Sequence, residues 1–330
     1  MKTTKPVAVY TESSDTDLSE GLALLEEAGF EVRVLDTQDS AEILAQAADA
    51  EALLVGYAQI TREMLEQLPK LKLVALMSMG TDNIDLDAAT DQNIWVTNVP
   101  GAATEEVATH ALALMLHSVR HLSYYTTTAV ADAETWNSRA DVAPVRLSEQ
   151  TLGILGLGRI GLKFAELAKP LFGRILGYDP LLPDTDEVHT MLCEHGIERV
   201  SLEEAQKSSN VLSLHMPLTP ETEHLIDAAF IAQMPERALI VNVSRGPLLD
   251  SAAVADAIRS GRLLGAALDV LDVEPPGAEH PLLGLEGVVM TPHIAYFSER
   301  TAAEYVRIQA QNAVTLHESG RPLSPVNSIN

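Results

Sequence analysis

The sequence predicts an α/β protein made of two parallel sheets, each covered by helices on both faces. Short apolar runs alternate with helix-period segments through the first hundred residues, and the same alternation resumes after residue 150. Glycine, proline and asparagine clusters punctuate both series, and the 46 % hydrophobic content of the 330 residues is enough for two ordinary cores. Strand–helix alternation of this kind gives parallel sheets, because each crossover helix returns the chain to the same edge.

The elements follow in order. Residues 7–10 (VAVY) read as a strand and 18–28 as a helix stopped by Gly29; 31–35 is a second strand. Residues 41–48 form a short helix with Asp39 or Ser40 as its N-cap, and 52–55 a third strand. Thr61 is placed to cap a helix over 62–68, ahead of Pro69; 73–77 and 94–97 are two further strands. Asn98-Val-Pro-Gly101 is a breaker cluster and a plausible hinge. Thr104 is placed to cap a long helix reaching Leu122, with Glu105 and Glu106 at its positive end and Arg120 and His121 at its negative end. Its Ala111–Leu116 core is apolar on nearly every side, which calls for burial all round, by a second domain or a second subunit. Residues 126–150 lack periodicity and read as an extended arm carrying Trp136. In the second series, strands are expected at 151–155, 174–178, 211–214, 238–243, 263–269 and 288–291. Helices are expected at 159–168, 227–234, 251–260 and 298–316. The domain boundaries follow: 1–98 with 296–330, and 99–295, the latter including the long helix and arm at about 101–150.

The formal net charge is −25, a surface that repels nucleic acid and anionic lipid, so neither is expected as a partner. The single cysteine, Cys193, forbids an internal disulfide, and the start Met1–Pro6 runs into the first strand without an apolar signal core. No stretch reaches the ~20 apolar residues of a membrane span. These features together predict a cytoplasmic protein.

The most informative segment is Thr151-Leu-Gly-Ile-Leu-Gly-Leu-Gly-Arg-Ile-Gly161. An apolar strand ends in Gly156, Gly158 and Gly161 as a helix begins, and Asp179 closes a second apolar run about 20 residues on. Gly156 permits a tight turn, Gly158 lets backbone approach a pyrophosphate, and Gly161 allows close helix–strand packing. The helix start at Arg159, Ile160 and Gly161 offers N–H groups and a positive dipole end to phosphate. Asp179 suits the two hydroxyls of a ribose and repels a 2′-phosphate, so NAD is favoured over NADP. The domain beginning here is therefore expected to be a Rossmann NAD domain.

In an open parallel sheet ligands bind beyond the carboxyl ends of the strands. That rule collects His215, Val243 and Arg245 in Asn242-Val-Ser-Arg-Gly246, Asp269, Glu274 and His293 on one rim. Arg245 has the planar fork that grips a carboxylate; His293 is the natural proton carrier; Glu274 is able to fix the tautomer of His293. His215 has two readings, a cofactor-side lining or a residue packed in the turn before Pro217. His110, His117 and His121 on the long helix read as structural. Cys193 and His195 fall in a loop without further ligands, so no metal is assigned.

Taken together, Gly80-Thr-Asp-Asn-Ile-Asp85, Asn98–Gly101, Glu105–Ala108, Thr151–Gly161, Val241–Gly246, Ala266–Val270, Glu274-Pro275 and Thr291-Pro-His293 resemble the D-isomer-specific 2-hydroxyacid dehydrogenase family over nearly the whole chain. The resemblance implies that Arg245 binds substrate, His293 is the acid/base, Glu274 its partner, Asp269 meets the nicotinamide amide and Thr104 contacts cofactor. It implies that Ser78, Met79 and Gly80 hold the substrate carboxylate on backbone amides. It also implies a flavodoxin-like substrate domain joined by the C-terminal helix, a homodimer built on the long helix and arm, and D stereochemistry.

Certain details depart from the family. Ala295-Tyr296-Phe297-Ser298 replaces small residues and resembles the C-terminal-binding-protein branch, whose members include NAD-linked corepressors. A corepressor-like NAD sensor with little turnover is therefore the alternative to an enzyme. That branch carries an arginine before the Gly80-type loop, where this chain has Leu76-Met77-Ser78. Phosphoglycerate dehydrogenases place a basic residue near 55–59, where this chain has Val-Gly-Tyr-Ala-Gln. Tyr57, Met77, Met79, Tyr296 and Phe297 thus predict an uncharged substrate tail. Formate dehydrogenases place Gln at the Glu274 position, and adenosylhomocysteine hydrolases share only the cofactor fold.

Overall fold

The computed structural model describes residues 5–13, 16–141 and 143–329. The chain start at Met1–Thr4, to which part of the N-terminal reading applied, lies outside them. The chain divides into two compact units, residues 1–102 with 297–330, and residues 103–296.

In the first unit β1 (Val7–Tyr10), α1 (Ser19–Glu27), β2 (Glu31–Val34), α2 (Ser40–Ala47), β3 (Ala52–Val55), α3 (Arg62–Glu66), β4 (Leu73–Leu76), α4 (Leu86–Asp91) and β5 (Trp95–Thr97) alternate, and the C-terminal helix α12 (Glu299–Ser319) completes it. All five strands run parallel in the order β2-β1-β3-β4-β5, the flavodoxin-like arrangement expected. Strands β1, β3 and β4 are buried along their whole length, as strands covered on both faces must be. One face packs on α2, α3 and α4 through Ile43, Met64, Leu65 and Ala88. The other packs on α1 and α12 through Leu25, Val306, Ala310 and Ala313. Gln309 of α12, fully buried, donates to the carbonyls of Val55 (3.2 Å) and Ala75 (2.8 Å), tying the helix to the carboxyl ends of the central strands.

The second unit contains α5 (Thr104–Val119), α6 (Leu122–Thr127), β6 (Thr151–Leu155), α7 (Arg159–Ala168), β7 (Arg174–Tyr178), α8 (Asp186–His195), β8 (Glu198–Arg199), α9 (Leu202–Ser208), β9 (Val211–Leu214), α10 (Ala228–Gln233), β10 (Ala238–Asn242), α11 (Ser251–Arg259), β11 (Leu263–Leu268) and β12 (Val288–Met290). Its seven strands are all parallel in the order β12-β11-β10-β9-β6-β7-β8. The chain winds outward in both directions from β6 and β9, so this is a doubly wound sheet of the Rossmann type with its switch point between those two strands.

Several local expectations need correcting. Thr104 is the first residue of α5 rather than its cap, and no side chain caps that helix. Thr61 precedes α3 without an N-cap bond; its hydroxyl is engaged with Glu63 instead. The long helix stops at Val119, because His121 adopts a left-handed φ of 53° and restarts the chain as α6. Cys193 and His195 lie on α8, not in a loop. Along α5, Ala111, Leu114 and Met115 are buried within the unit, while Ala113 is exposed and Leu112 and Leu116 are half-buried. Among the described residues no helix is long and apolar enough to cross a membrane.

Candidate active site

The glycine loop follows β6. Gly156 has φ +93°, and a Cβ there would come within 2.4 Å of the His215 carbonyl oxygen, so only glycine fits. A Cβ on Gly161 would lie 2.1 Å from the Gly156 oxygen, so the first turn of α7 sits directly on the loop. Around Gly158 there is open space: nothing lies within 4 Å of a Cβ built there. The loop is pinned from β7. Asp179 accepts from the Leu157 N–H with one oxygen (2.9 Å) and from the Leu181 N–H with the other (2.9 Å). Each carboxylate oxygen keeps further acceptor capacity for a ligand hydroxyl. Arg159 is exposed and Ile160 half-buried at the α7 start, and Val243 is buried beyond β10. An open Gly158 approach, a helix N-terminus of ten residues and an anchored carboxylate together fit a dinucleotide.

His215 settles between its two readings toward packing. Its Nε2 shares a 2.8 Å hydrogen bond with Ser213 Oγ, and its ring lies 4.9 Å from the Phe164 ring of α7. Nδ1 is shut off from solvent with no partner among the described residues, although the residue as a whole is only half-buried. Burial pushes its pKa down to about 3, so the imidazole is neutral at any working pH.

The rim of the same sheet carries the chemical groups. The β12 exit loop is held by Asp269, which is 1 % exposed. Its carboxylate accepts from Thr291 Oγ1 (2.6 Å) and from the N–H groups of Ile294 (3.0 Å) and Ala295 (2.9 Å); its carbonyl accepts from the His293 N–H (2.8 Å). These four bonds hold His293 at a left-handed φ of 54°, a conformation that costs a non-glycine residue energy unless its surroundings fix it. Asp269 was expected to face nicotinamide; its carboxylate is committed here to the histidine loop. His110, read as structural, reaches the same cluster from α5, with Nε2 2.9 Å from Thr291 Oγ1 and 3.6 Å from the Asp269 carboxylate. Only the fold brings them together, since residues 110 and 269 share no sequence signal.

His293 Nδ1 lies 2.6 Å from Glu274 Oε2, and the other Glu274 oxygen accepts from the Leu271 N–H at 2.7 Å. Burial alone would raise the Glu274 pKa. The His293 hydrogen bond, the Leu271 N–H and the charges of His293 and Arg245 outweigh it and hold the carboxyl below its usual range. With Nδ1 bound to the carboxylate, Nε2 is the nitrogen left to exchange a proton. Arg245 follows β10; Asn242 Nδ2 donates to its carbonyl at 2.8 Å, and its Nη1 donates to the Ser244 carbonyl at 2.7 Å. Gly246 beside it packs on the Leu271 backbone so closely that a Cβ would sit 1.8 Å from the Leu271 carbonyl carbon. The Arg245 turn and the Glu274 loop are thereby locked to one another. The structure thus brings Arg245, Glu274 and His293 onto one rim. Tyr296 follows the loop and is half-buried.

In the first unit, Ser78 donates its hydroxyl to the Gly80 carbonyl at 2.7 Å, Asn98 Nδ2 donates to the Met79 carbonyl at 2.8 Å, and the Val99 N–H donates to the Ser78 carbonyl at 3.0 Å. The Ser78–Gly80 carbonyls are thus held while the N–H groups of Met79 and Gly80 meet no acceptor among the described residues. Tyr57, at the carboxyl end of β3, is 53 % exposed. Sequence reasoning missed Glu12, a buried carboxylate that accepts from the N–H groups of Gly56 (3.0 Å) and Tyr57 (2.8 Å).

Residues 112–295 match the model of the D-isomer-specific 2-hydroxyacid dehydrogenase NAD-binding domain. The chain belongs to this family. The matched part is that family's NAD-binding domain. The chain is 38 % identical over 276 residues, 83 % of this chain and 51 % of the relative, to a D-3-phosphoglycerate dehydrogenase of Methanocaldococcus jannaschii. It is 36 % identical over 291 residues, 86 % of this chain and 85 % of the relative, to a glyoxylate reductase of Aeropyrum pernix. It therefore spans about half the length of the first relative and most of the second. Its backbone is similar, with a TM-score of 0.85 at 26 % identity and coverage of 98 % and 97 %, to an NADPH-dependent glyoxylate/hydroxypyruvate reductase of Sinorhizobium meliloti in complex with NADP and malonate.

Proposed function

We propose that the protein reduces a small, non-phosphorylated 2-keto acid to the D-2-hydroxy acid with NADH, and runs the reverse oxidation with NAD. The observation that carries this reading is the His293–Glu274 pair, 2.6 Å apart on the strand-end rim of an NAD-binding domain and within the field of Arg245. The cofactor, when bound, supplies or accepts a hydride at its nicotinamide ring. Everything else falls to the chain. Arg245 clamps the substrate carboxylate with its planar fork and polarises the ketone oxygen. His293 Nε2 delivers a proton to that oxygen during reduction and takes it back during oxidation. Glu274 holds the imidazole in one tautomer and stabilises its cationic form. Asp269 fixes the loop that aims His293. In the smaller unit Ser78, Met79, Gly80 and Tyr57 are assigned to substrate, and in the larger unit Tyr296 is.

For the cofactor, Gly156, Gly158, Arg159, Ile160 and Gly161 take the pyrophosphate, Asp179 the ribose hydroxyls, and Thr104 and Val243 line the remaining contacts. Asp179 carries the preference for NAD, since a 2′-phosphate would meet a like charge. The absence of a basic residue in Val55–Gln59 supports a substrate without a phosphate. The exposed apolar residues Leu122, Val130 and Trp136 on and after α6, together with the half-buried Leu112 and Leu116 of α5, support a homodimer through this region.

A panel of 2-keto acids assayed with NADH and NADPH tests the reading. We expect turnover of glyoxylate, pyruvate or a larger uncharged-tail keto acid, faster with NADH, and chiral analysis should give the D product. Turnover confined to phosphohydroxypyruvate, or no turnover with any keto acid, would reject it. Sedimentation at several concentrations tests the dimer, and a concentration-independent monomer would reject that part.

A further inference from the structure

The loop that carries His293 has little packing to hold it. From Thr291 to Ala295 only Ala295 is buried; Pro292, His293 and Ile294 are exposed. Its course is set instead by hydrogen bonds that converge on Asp269. Oδ1 accepts from the Thr291 hydroxyl (2.6 Å) and the Ile294 N–H (3.0 Å), and Oδ2 accepts from the Ala295 N–H (2.9 Å). The left-handed backbone of His293 persists only while such bonds hold it. One more group reaches this cluster. His110 lies on α5, which packs against β10, β11 and β12 within the same unit. Its Nε2 is 2.9 Å from Thr291 Oγ1 and 3.6 Å from Asp269 Oδ1, and its side chain is 23 % exposed. The direction of the first bond follows from counting protons. A threonine hydroxyl has one proton and two lone pairs, and Thr291 gives its proton to Asp269. Towards His110 it can only accept, so Nε2 carries the proton and donates.

We infer that His110 is a positioning residue for His293: by donating to Thr291 it keeps that hydroxyl turned to Asp269, and so fixes the direction in which the loop presents the imidazole. This rests on the reading of His293 as the acid/base of a 2-keto acid reductase. His110 acts here through Thr291 and Asp269, not on the reacting atoms. Misplacing a proton donor by about an ångström can slow a reaction up to about a hundredfold, so a modest slackening of the loop is enough to register. A histidine that only packed α5 against the sheet would need its bulk but not its Nε2 proton, and the experiment has to separate the two.

The test is a double-mutant cycle of His110→Leu and Thr291→Val. His110→Gln is the conservative variant, since its amide offers an N–H donor at similar reach. Turnover of glyoxylate, pyruvate and 2-oxobutanoate with NADH is measured beside NADH binding by fluorescence. The His293 ring is followed separately in 1H–13C spectra, its signal assigned by its absence from His293→Ala. His110→Leu is expected to lower kcat on the order of tenfold, with KM and NADH dissociation within about twofold of wild type. His110→Gln should recover most of that loss, and His110→Leu should cost nothing further in a Thr291→Val background. The His293 signal should broaden or split in His110→Leu and stay single and sharp in His110→Gln; both variants lose the same ring, so its magnetic effect cancels. Equal effects of His110→Leu in the two backgrounds, or of Leu and Gln at position 110, would show a packing residue and overturn the inference. So would an unchanged kcat in His110→Leu. If His110→Leu does not fold, Thr291→Val decides, because it leaves α5 intact: an unchanged kcat there overturns the proposal. No turnover by wild type on any keto acid would defeat the parent reading; the spectra then decide this one, and a sharp His293 signal in His110→Leu overturns it.

Discussion

Two rims of two parallel sheets use carboxylates in opposite ways. On the larger sheet, Asp269 and Glu274 serve a side chain: one fixes the loop that carries His293, and the other fixes the ring itself. On the smaller sheet, Glu12 serves backbone, holding the Gly56–Tyr57 turn, and the neighbouring 78–80 loop is likewise held through its carbonyls. Paired titratable groups gather on the first rim, while on the second a buried carboxylate holds a backbone turn and Tyr57 is exposed. The contrast teaches that the same residue type past a strand end does different work in each sheet, and that only what it holds, a side chain or a backbone turn, tells them apart.

The harshest way to break this contrast is His293→Ala. If proton transfer resides on the larger rim, kcat for keto acid reduction should fall about 10²- to 10⁴-fold while the KM for the keto acid changes little. Dissociation of NADH, followed by fluorescence, should be unaffected. Unimpaired turnover would remove His293 from the role of acid/base. Glu274→Gln should cost less, roughly 10- to 100-fold in kcat, since the amide keeps one hydrogen bond but no longer balances a cationic imidazole. The pH profile supplies the sharper signature. Glu274 is held below the ordinary carboxylate range, so its ion pair is complete above about pH 4.5, the ordinary glutamate value, and fails as pH falls through the lower folded value. In the variant that acid limb should vanish.

A gentler substitution sharpens the assignment of the cofactor. Asp179→Asn keeps an acceptor for the Leu157 N–H but removes the charge that opposes a 2′-phosphate. The preference for NADH over NADPH, read as a ratio of kcat/KM, should shrink about tenfold. The same ratio in both proteins would place the discrimination elsewhere.

How far the sequence spoke depended on whether a signal was local. The buried strands were legible because β1, β3 and β4 are unbroken apolar runs of four residues bounded by turns, and β9 is broken only by Ser213. Arg245, Glu274 and His293 were legible as a set because each stands a few residues past such a run. Helices α8 and α9 escaped: they are polar surface helices, although Thr185 and Ser201 cap both in the expected manner. Helix α4 escaped too, despite its cap at Asp85, because six residues carry too little periodicity. Strand β8 has two residues and no pattern of its own. The cap assigned to Thr61 failed because a suitable residue type does not dictate the rotamer that makes the bond, and that assigned to Thr104 because the helix starts one residue early, with Ala103 at the cap position. Glu12 and His110 were out of reach. A carboxylate after a strand reads as surface until the fold buries it, and a helix histidine reads as structure until Asp269 and Thr291 arrive from far along the chain.

The smallest expected effect concerns His215, and it tests whether that residue belongs to packing or to chemistry. The folded protein keeps its imidazole neutral, with a pKa near 3 against an ordinary value of 6.5. Between those values the unfolded chain binds a proton that the folded one does not, so stability must rise with pH across that window. The stabilisation from keeping this ring buried is therefore complete above pH 6.5 and is lost as the solution is acidified, by at most about 1.4 kcal/mol per pH unit. His215→Gln removes the titration and retains a polar group of similar length near Ser213. Thermal denaturation at intervals from pH 5 to pH 8 should show the variant less stable than wild type above pH 6.5, with the gap closing as pH falls. A constant gap would mean that the ring titrates in the folded state as it does in the unfolded chain, and the packing assignment would fail. Because the His215 ring packs on Phe164 and its backbone, not its ring, meets the Gly156 turn, the variant should also perturb cofactor affinity less than Asp179→Asn does.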